Sequence, residues 1–168
     1  MTDPISITQD MRAGIGAPLP PWTCEVTSTG IRSFARGVGI EDLVYFEEGV
    51  ARRAGYDGLP ALPSHLGTPV FMPGESPSEA PYHPGHPAAH DFGLPNVLAG
   101  GVETVYERVV VAGDVLTAST CIADLEVKQS TSLGFMLIVS TRSEFRDFEG
   151  RLVATECSWT IRYAAVDQ

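Results

Sequence analysis

Four consecutive runs decide the fold of this chain, and they read VETVYERVVV (residues 102–111), VLTASTCIADLEV (115–127), GFMLIVSTRSEFR (134–146) and LVATECSWTIRY (152–163). Each run is rich in Val, Ile, Thr, Phe and Tyr, the residue types that fit a pleated surface. Runs of about ten or more residues exceed the usual strand length of about five or six. The sequence therefore predicts four long β-strands, joined by short turns, that curl around another part of the chain.

The bulk composition limits the domain organisation and the partners. A chain of 168 residues is long enough for one domain with a core and too short for two. We predict a single domain over residues 22–168, preceded by an extended arm over residues 1–21 that holds four prolines. The formal net charge of −10 argues against a nucleic acid as partner, because phosphates require clustered Lys and Arg.

The sequence also carries signals about location. It contains no apolar run of about 18 residues, so we expect no membrane span. The first residues lack the apolar core of a signal peptide. Three widely spaced cysteines, with no C-x-x-C pair, favour free thiols over disulfides. We therefore expect a cytoplasmic protein.

Two helices are predicted ahead of the strands. In the first, residues 28–38, the apolar positions recur at helical spacing: Ile31, Phe34, Ala35 and Val38. The second, residues 46–54, has acids in its first turn and arginines in its last, as the helix dipole favours. Both helices are short enough to lie against one sheet.

Residues 57–101 form the unusual segment. They hold nine of the thirteen prolines, all four histidines and seven glycines. A long irregular stretch inside a compact domain is typically a functional loop or a lid, so we predict a loop here, with one strand near residues 68–72. Prolines interrupt His83, His86 and His90, and no cysteine lies near them, so we predict no metal site.

Several motifs, in the same order along the chain, resemble those of one family. The first half contributes IRSFARGVG (31–39), YFEEGVARRAGYDG (45–58) and ALP (61–63). The second half contributes LAGGVE (98–103), VAGDVL (111–116) and a hairpin within residues 145–155. Over roughly residues 22–163 the chain resembles the MaoC-like dehydratases, specifically the N-terminal group that is similar to the dehydratase of fatty-acid synthase.

The resemblance implies a hot-dog fold, an α+β architecture in which a long antiparallel sheet curls around a helix. Residues 28–38 are our candidate for the wrapped helix, since the 57–101 segment is too rich in Pro and Gly for a long one. That segment is then a loop insertion. The resemblance also implies a homodimer, or a heterodimer with another hot-dog subunit, and an acyl thioester of coenzyme A or of acyl carrier protein as substrate. The implied reaction is reversible hydration of a trans-2-enoyl thioester to the (R)-3-hydroxyacyl thioester, without a cofactor.

The resemblance fails at the catalytic motif. Active members carry G-D-x-N-P-x-H after the first helix, and its Asp and His activate water; the aligned residues here are GIEDLVY (39–45). Ile40 stands in place of the acid and Tyr45 in place of the histidine. An isoleucine cannot transfer a proton, and an ordinary tyrosine is a poor base at neutral pH. In heteromeric members of the family one subunit shapes the acyl pocket while its partner brings the Asp–His pair, and this chain fits the first role.

Three residues are candidates for a catalytic role. Asp42, within the altered stretch, is a displaced acid, or it caps the second helix or faces water. Tyr45 either donates a hydrogen bond to the thioester carbonyl or packs at the start of a helix. His65 lies where the family's chain passes the active-site groove, and it is either functional or an ordinary loop histidine.

Four further positions are candidates for substrate binding: Tyr56, Pro63, Gly100 and Gly101. The first two lie in segments that match the family. The glycines either allow the backbone to approach a bound acyl chain or allow a strand to bend.

The leading hypothesis is therefore a hydratase–dehydratase subunit, a hydro-lyase completed by a partner. The first alternative is a non-catalytic homodimer that binds an acyl or polyketide-like ligand. The second is an acyl thioesterase, although no acid in the sequence has an evident place for that role.

Overall fold

The computed structural model describes residues 5–66 and 92–164. Its strands are Trp22–Glu25 (β1), Asn96–Tyr106 (β2), Val115–Ser130 (β3), Gly134–Arg146 (β4) and Leu152–Tyr163 (β5). Its helices are Gln9–Ala13 (α1), Ser28–Gly37 (α2) and Glu48–Arg53 (α3), with a 3₁₀ turn over Leu43–Tyr45 between α2 and α3. The predicted strand at 68–72 and the histidines at 83, 86 and 90 lie outside the described residues.

The strands form one antiparallel sheet in the order β1-β3-β4-β5-β2. Helix α2 lies against one face of this sheet, where Ile31 and Ala35 are fully buried. We call that face the inner face. The predicted architecture, a long antiparallel sheet curled around a helix, is confirmed.

The boundaries of β4 and β5 agree with the sequence prediction, whereas β2 does not. It begins at Asn96 and ends at Tyr106, instead of spanning 102–111. The Glu107 N–H still donates to the Val153 carbonyl of β5 at 2.9 Å. Beyond Glu107 the chain bonds to the loop after α3, with Ala61 N–H donating to the Val110 carbonyl at 2.8 Å and Ala112 N–H to the Leu59 carbonyl at 2.9 Å. The 57–101 segment is therefore not a loop throughout, because its last six residues belong to β2.

The turn between β2 and β3 is held by Asp114. Its carboxylate accepts two hydrogen bonds from the Arg108 guanidinium, both at 2.8 Å, and one from the Val111 N–H at 2.9 Å. These bonds fix residues 108–114 in a conformation that cannot continue the ladder with β5. Turn formation of this kind is a common role for an aspartate followed by a strand.

The N-terminal segment predicted as an extended arm contains the short helix α1. Thr8 caps this helix by accepting a hydrogen bond from the Met11 N–H at 3.2 Å. Ile5, Ile7 and Met11 pack on a buried cluster of the chain's own sheet. The segment is therefore not wholly extended, while its separation from the domain at residue 22 stays a prediction.

The buried side chains form two apolar clusters. The larger includes Trp22, Ile31, Leu116 and Phe145, with the Trp22 and Phe145 rings edge to face at a centroid distance of 5.7 Å. The smaller lies farther along β3 and β4, and its buried members are Leu94, Ile122, Leu125, Leu137 and Val139. The part of the inner face between these clusters is polar.

Two further features of the described residues bear on earlier expectations. Cys24, Cys121 and Cys157 are free; Cys24 is buried and the other two are half-buried. No helix within the described ranges is long and apolar enough to cross a membrane.

Candidate active site

A cavity of about 410 Å³ lies where the 3₁₀ turn, the loop after α3 and the end of β2 meet. Its lining includes Tyr45, Tyr56, Pro63, Tyr106 and Arg108, and we call it the tyrosine cavity. Three of the sequence candidates, Tyr45, Tyr56 and Pro63, are thus brought together. Within the described part of the chain, its lining includes no carboxylate and no imidazole.

Tyr106 joins this cavity to the sheet. Its hydroxyl donates a hydrogen bond to the carbonyl of Pro63, which anchors the 59–63 loop over β2. Burial, followed by the negative charge of Glu156, raises the pKa of Tyr106 to about 12. The side chain therefore stays protonated at neutral pH, and its O–H already donates a hydrogen bond to the loop.

His65 is not among the residues that line the cavity. Its ring packs edge to face on Phe34 of α2, at a centroid distance of 5.4 Å, and approaches Gly30. The residue is 8% exposed, and burial lowers the pKa of the imidazole, so the ring is neutral at pH 7. Its Nδ1 has no hydrogen-bond partner among the described residues.

Asp42 acts locally as a cap. Its side chain accepts a hydrogen bond from the Val44 N–H at 3.0 Å and begins the 3₁₀ turn. The residue is exposed and lies outside the lining of the tyrosine cavity. The residue faces water, as one alternative from the sequence expected, but it caps the 3₁₀ turn and not the second helix, whose N-cap is Glu47. Its catalytic role stays a prediction.

Gly100 and Gly101 lie at an irregularity in β2, where the register with β5 shifts between Ala99 and Gly101. A Cβ at Gly100 would lie 2.9 Å from the carbonyl oxygen of Trp159, and Gly101 has a φ of 154°. Both features favour glycine, because added side-chain atoms clash or strain the backbone there. Gly101 also lines a second cavity, so the two sequence-based interpretations are compatible.

This second cavity, of about 340 Å³, opens on the inner face between the two apolar clusters. One wall is made of side chains from four strands that end in hydroxyl or carboxyl groups: Thr104, Thr120, Ser143, Glu156, Ser158 and Thr160. We call this wall the polar band and the space beside it the polar cavity. Trp22, Leu66 and Val102 contribute apolar surface to the same cavity.

The polar band is partly satisfied by its own hydrogen bonds. Thr120 and Ser143 bond to each other at 2.8 Å, and the Thr104 hydroxyl donates to Glu156 at 3.2 Å. Burial raises the pKa of Glu156, an effect that the Thr104 hydrogen bond partly offsets. Near it, burial together with Glu156 raises the pKa of the Cys24 thiol to about 11. The region therefore favours neutral side chains.

Sequence reasoning missed Glu156. In β5 the alternation places Cys157, Trp159 and Ile161 on one face and Glu156, Ser158 and Thr160 on the other. A strand patterned this way is expected to bury its apolar face. In the structure the polar face of β5 points inward instead, since Glu156 lies opposite the buried Ser143 of β4. A carboxylate in the middle of a predicted strand was the available signal.

A family model for the FAS1-like dehydratase domain region matches residues 13–156, most of the chain. The chain belongs to this family. The predicted hydro-lyase class, of the hydratase–dehydratase type, is confirmed at the level of the family.

Two curated relatives show how far the sequence similarity extends. The alpha subunit of 3-oxo-4,17-pregnadiene-20-carboxyl-CoA hydratase from Mycobacterium tuberculosis is 26% identical over 106 residues, which cover 62% of this chain and 34% of that protein. The chain thus spans about a third of that relative's length. A UPF0336 protein from Thermobifida fusca is 29% identical over 141 residues, 84% of this chain and 85% of that protein.

Solved structures share the fold of this family member. The ChsH1–ChsH2 complex from Mycobacterium tuberculosis has a chain with a TM-score of 0.69 and 21% identity, covering 90% of this chain and 87% of that one. A MaoC-like dehydratase has a TM-score of 0.67 and 18% identity over 92% of this chain and 43% of that one. A chain of the HadBC (3R-hydroxyacyl-ACP dehydratase) complex from Mycobacterium tuberculosis has a TM-score of 0.57 and 20% identity, over 85% of this chain and 95% of that one. The resemblance to MaoC-like dehydratases is confirmed.

Proposed function

We propose that this chain is one subunit of an enzyme that interconverts trans-2-enoyl and (R)-3-hydroxyacyl thioesters of coenzyme A or acyl carrier protein. A second hot-dog subunit supplies the Asp–His pair. The observation that carries the proposal is the tyrosine cavity, whose described lining has no carboxylate and no imidazole. Hydration requires a group that takes a proton from water and a group that returns one to the substrate. The aligned positions Ile40 and Tyr45 do not provide this pair.

In this proposal the chain's own residues bind and orient the thioester. Tyr45 and Tyr56 line one cavity with Pro63, so one ligand can contact all three. We assign the hydroxyl of Tyr45 as a donor to the thioester carbonyl, a role that needs no change of protonation state. Arg108 lines the same cavity, and its guanidinium is paired with the Asp114 carboxylate.

The proposed partner surface is the free edge of β2. This strand is eleven residues long, and among the described residues it pairs with β5 alone. Leu98, Val102 and Val105 on it are exposed, at 43%, 58% and 58%. A long strand edge with exposed apolar side chains is a template for pairing with another chain. Complexes of the ChsH1–ChsH2 and HadBC kinds among the structural neighbours support a two-subunit assembly.

The test is reconstitution with a second hot-dog subunit that retains D-x-N-P-x-H. The isolated chain should not hydrate crotonyl-coenzyme A, and the mixture should. Asp→Asn in the partner's motif should abolish activity, while Asp42→Ala and His65→Ala in this chain should leave most of it. Full activity of the isolated chain, lost on either of those two substitutions, would instead make Asp42 or His65 catalytic and refute the two-subunit proposal.

The partner surface has its own test. Val105→Asp should weaken co-purification with the partner at least tenfold, because it places a charge on the proposed interface. Val38→Asp is the matched control, since Val38 is 54% exposed at the end of α2 and is not part of β2. Equal effects of the two substitutions would argue against the β2 edge.

A non-catalytic ligand-binding homodimer is the second candidate, favoured by the polar cavity on the inner face. It predicts that no partner confers hydration activity, while an acyl ligand still raises the melting temperature, as any ligand specific for the native state must. Thioester hydrolysis has less support, because no described carboxylate lines the tyrosine cavity.

A further inference from the structure

The polar cavity differs from an ordinary gap in a core because its polar wall is built from four strands. Thr104, Thr120 and Ser143 lie on β2, β3 and β4, and Glu156 lies opposite both Thr104 and Ser143 on β5. Placing polar groups on the inner face of a sheet costs free energy unless they find partners. Most of these groups have partners in the protein, since Thr120 bonds to Ser143, Thr104 to Glu156 and Ser158 to Thr141. The hydrogen-bonding capacity that remains in the wall indicates a ligand with complementary polar atoms.

Two groups in the wall have hydrogen-bonding capacity left over. Glu156 has one side-chain partner among the described residues, Thr104, which bonds to only one of its two carboxyl oxygens. Thr160, four residues farther along β5 on the same face, has a buried hydroxyl with no partner in the described part of the chain. Glu156 thus has a carboxyl oxygen free for a ligand, and the Thr160 hydroxyl is a buried polar group of the same wall that lacks a described partner.

The remaining lining restricts the chemistry of that ligand. Glu156 is the only ionisable side chain among the described lining residues, so the lining has no positive charge that could bind a phosphate or a carboxylate. Trp22, Leu66 and Val102 supply apolar contact surface. The volume of about 340 Å³ is at the small end of the range for small-molecule sites, about 300–1,000 Å³. These features fit a neutral, mainly apolar group with one oxygen.

We propose that the polar cavity binds an acyl group that carries a hydroxyl or ketone oxygen, and that Glu156 and Thr160 bind this oxygen. The inference rests on the proposed function for its acyl thioester and adds the class of acyl group. A protonated Glu156 donates its O–H to the ligand oxygen, and the Thr160 hydroxyl completes the contact. Both residues act as specificity determinants and take no part in proton transfer to the substrate.

The experiment uses free ligands and the full chain, so it does not depend on thioester binding. The probes are 2-decalone, decalin and 2-aminodecalin, which share an apolar body and differ in the polar group. Binding is followed by the change in melting temperature and by tryptophan fluorescence, since both tryptophans of the chain, Trp22 and Trp159, line the polar cavity. We expect 2-decalone to bind at least tenfold more tightly than decalin.

Substitutions test whether Glu156 and Thr160 contact the ligand oxygen. Glu156→Leu should weaken 2-decalone binding at least tenfold, and Thr160→Val should weaken it several-fold. Glu156→Gln should retain most of the affinity, because the amide also donates a hydrogen bond, and it should remove the decrease in affinity with rising pH expected for Glu156. Glu144→Gln, next to Ser143 on β4 and bonded to Arg142 and Arg146, is the control and should change nothing.

Equal binding of decalin and 2-decalone, or an undiminished affinity in Glu156→Leu, would overturn the inference. Tighter binding of 2-aminodecalin would also overturn it, because the site would then recognise a cation through an ionised Glu156. If the ketone binds as expected but no partner mixture hydrates a thioester, the proposed function fails and the binding site stands. If the mixture is active but the ketone does not bind, the proposed function stands and the binding site in the polar cavity is refuted.

Discussion

Two neighbouring rows of side chains on the inner face differ completely in chemistry. In the first row, Ala118, Phe145 and Ala154 on β3, β4 and β5 are fully buried in the larger apolar cluster. Two residues along each strand, the second row consists of Thr120, Ser143 and Glu156. The first row lies in the cluster that contains Ile31 of α2, and the second borders the polar cavity.

The comparison shows that one face of the sheet has two chemically different parts, an apolar row and a polar row. The first row contributes to folding through apolar burial, because Phe145 and its neighbours are removed from water. The second row lacks this apolar contribution and instead has hydrogen-bonding groups beside the polar cavity. Since both rows lie on the same strands at equivalent positions, strand propensity cannot explain the change. The binding role that we propose for the polar cavity would account for it.

The largest effect should come from truncating the first row. Phe145→Ala should lower the free energy of unfolding by about 3–5 kcal/mol, because it leaves a cavity between Trp22 and α2. Urea titration of the purified chain measures it. Phe148→Ala is the control, since Phe148 is 88% exposed and should change stability by less than about 0.5 kcal/mol. A small effect at Phe145 would mean that the first row is not the core.

The rim of the polar cavity should be the next most sensitive place. Gly100→Ala should cost about 1–3 kcal/mol, because the added Cβ meets the backbone of Trp159 and forces β2 away from β5. Gly37→Ala in α2 is the control, because nothing lies within 4 Å of its Cβ position. Thermal unfolding should separate the two variants, and similar melting temperatures would show that β2 yields easily at the bulge.

Within the second row, the hydroxyl pair should behave as a unit. Thr120→Val alone should cost about 1–3 kcal/mol, because it leaves the buried Ser143 hydroxyl without its partner. The double variant Thr120→Val, Ser143→Ala should recover part of this loss. A double-mutant cycle on unfolding free energies measures the coupling. Strictly additive effects would show that the two hydroxyls do not depend on each other.

The smallest effect should be a pH dependence at Glu156. Burial raises the pKa of this carboxyl above its ordinary value of 4.5, so the folded state binds its proton more tightly than the unfolded state. The stability from this proton is fully present below about pH 4.5 and is lost as the pH rises through the raised pKa. Glu156→Gln lacks this loss, so its stability relative to the parent chain should increase from acidic to neutral pH. Parallel stability–pH curves would contradict this expectation.

Much of the fold could be predicted from local sequence. The runs at 134–146 and 152–163 are strands with the predicted bounds, because β-branched and aromatic residues bounded by turn residues specify extended chain. The helix at 28–38 ends one residue earlier than predicted, at Gly37. The start of β2 was misplaced, because residues 96–101 were assigned to the Pro- and Gly-rich loop, whereas they belong to the strand, with a bulge at the glycine pair.

The candidate site was harder to predict from the sequence than the fold. Tyr45, Tyr56 and Pro63, chosen from segments that match the family, line one cavity, while their roles in catalysis and substrate binding stay predictions. Glu156 was missed, because its importance depends on which face of β5 turns inward. That choice follows from pairing with β4 and β2, which no local pattern in β5 reveals.

By itself, the sequence determined the strand-rich second half, the helix beside it, the family and the residues GIEDLVY at positions 39–45, since each depends on residue type and order. Only the tertiary structure decided which strand faces are inward, where β2 leaves the sheet, and that Glu156, Thr160 and Ser143 share one cavity with Trp22. The physical reason is that strand register couples residues far apart in the chain, and a shift of one position exchanges the two faces.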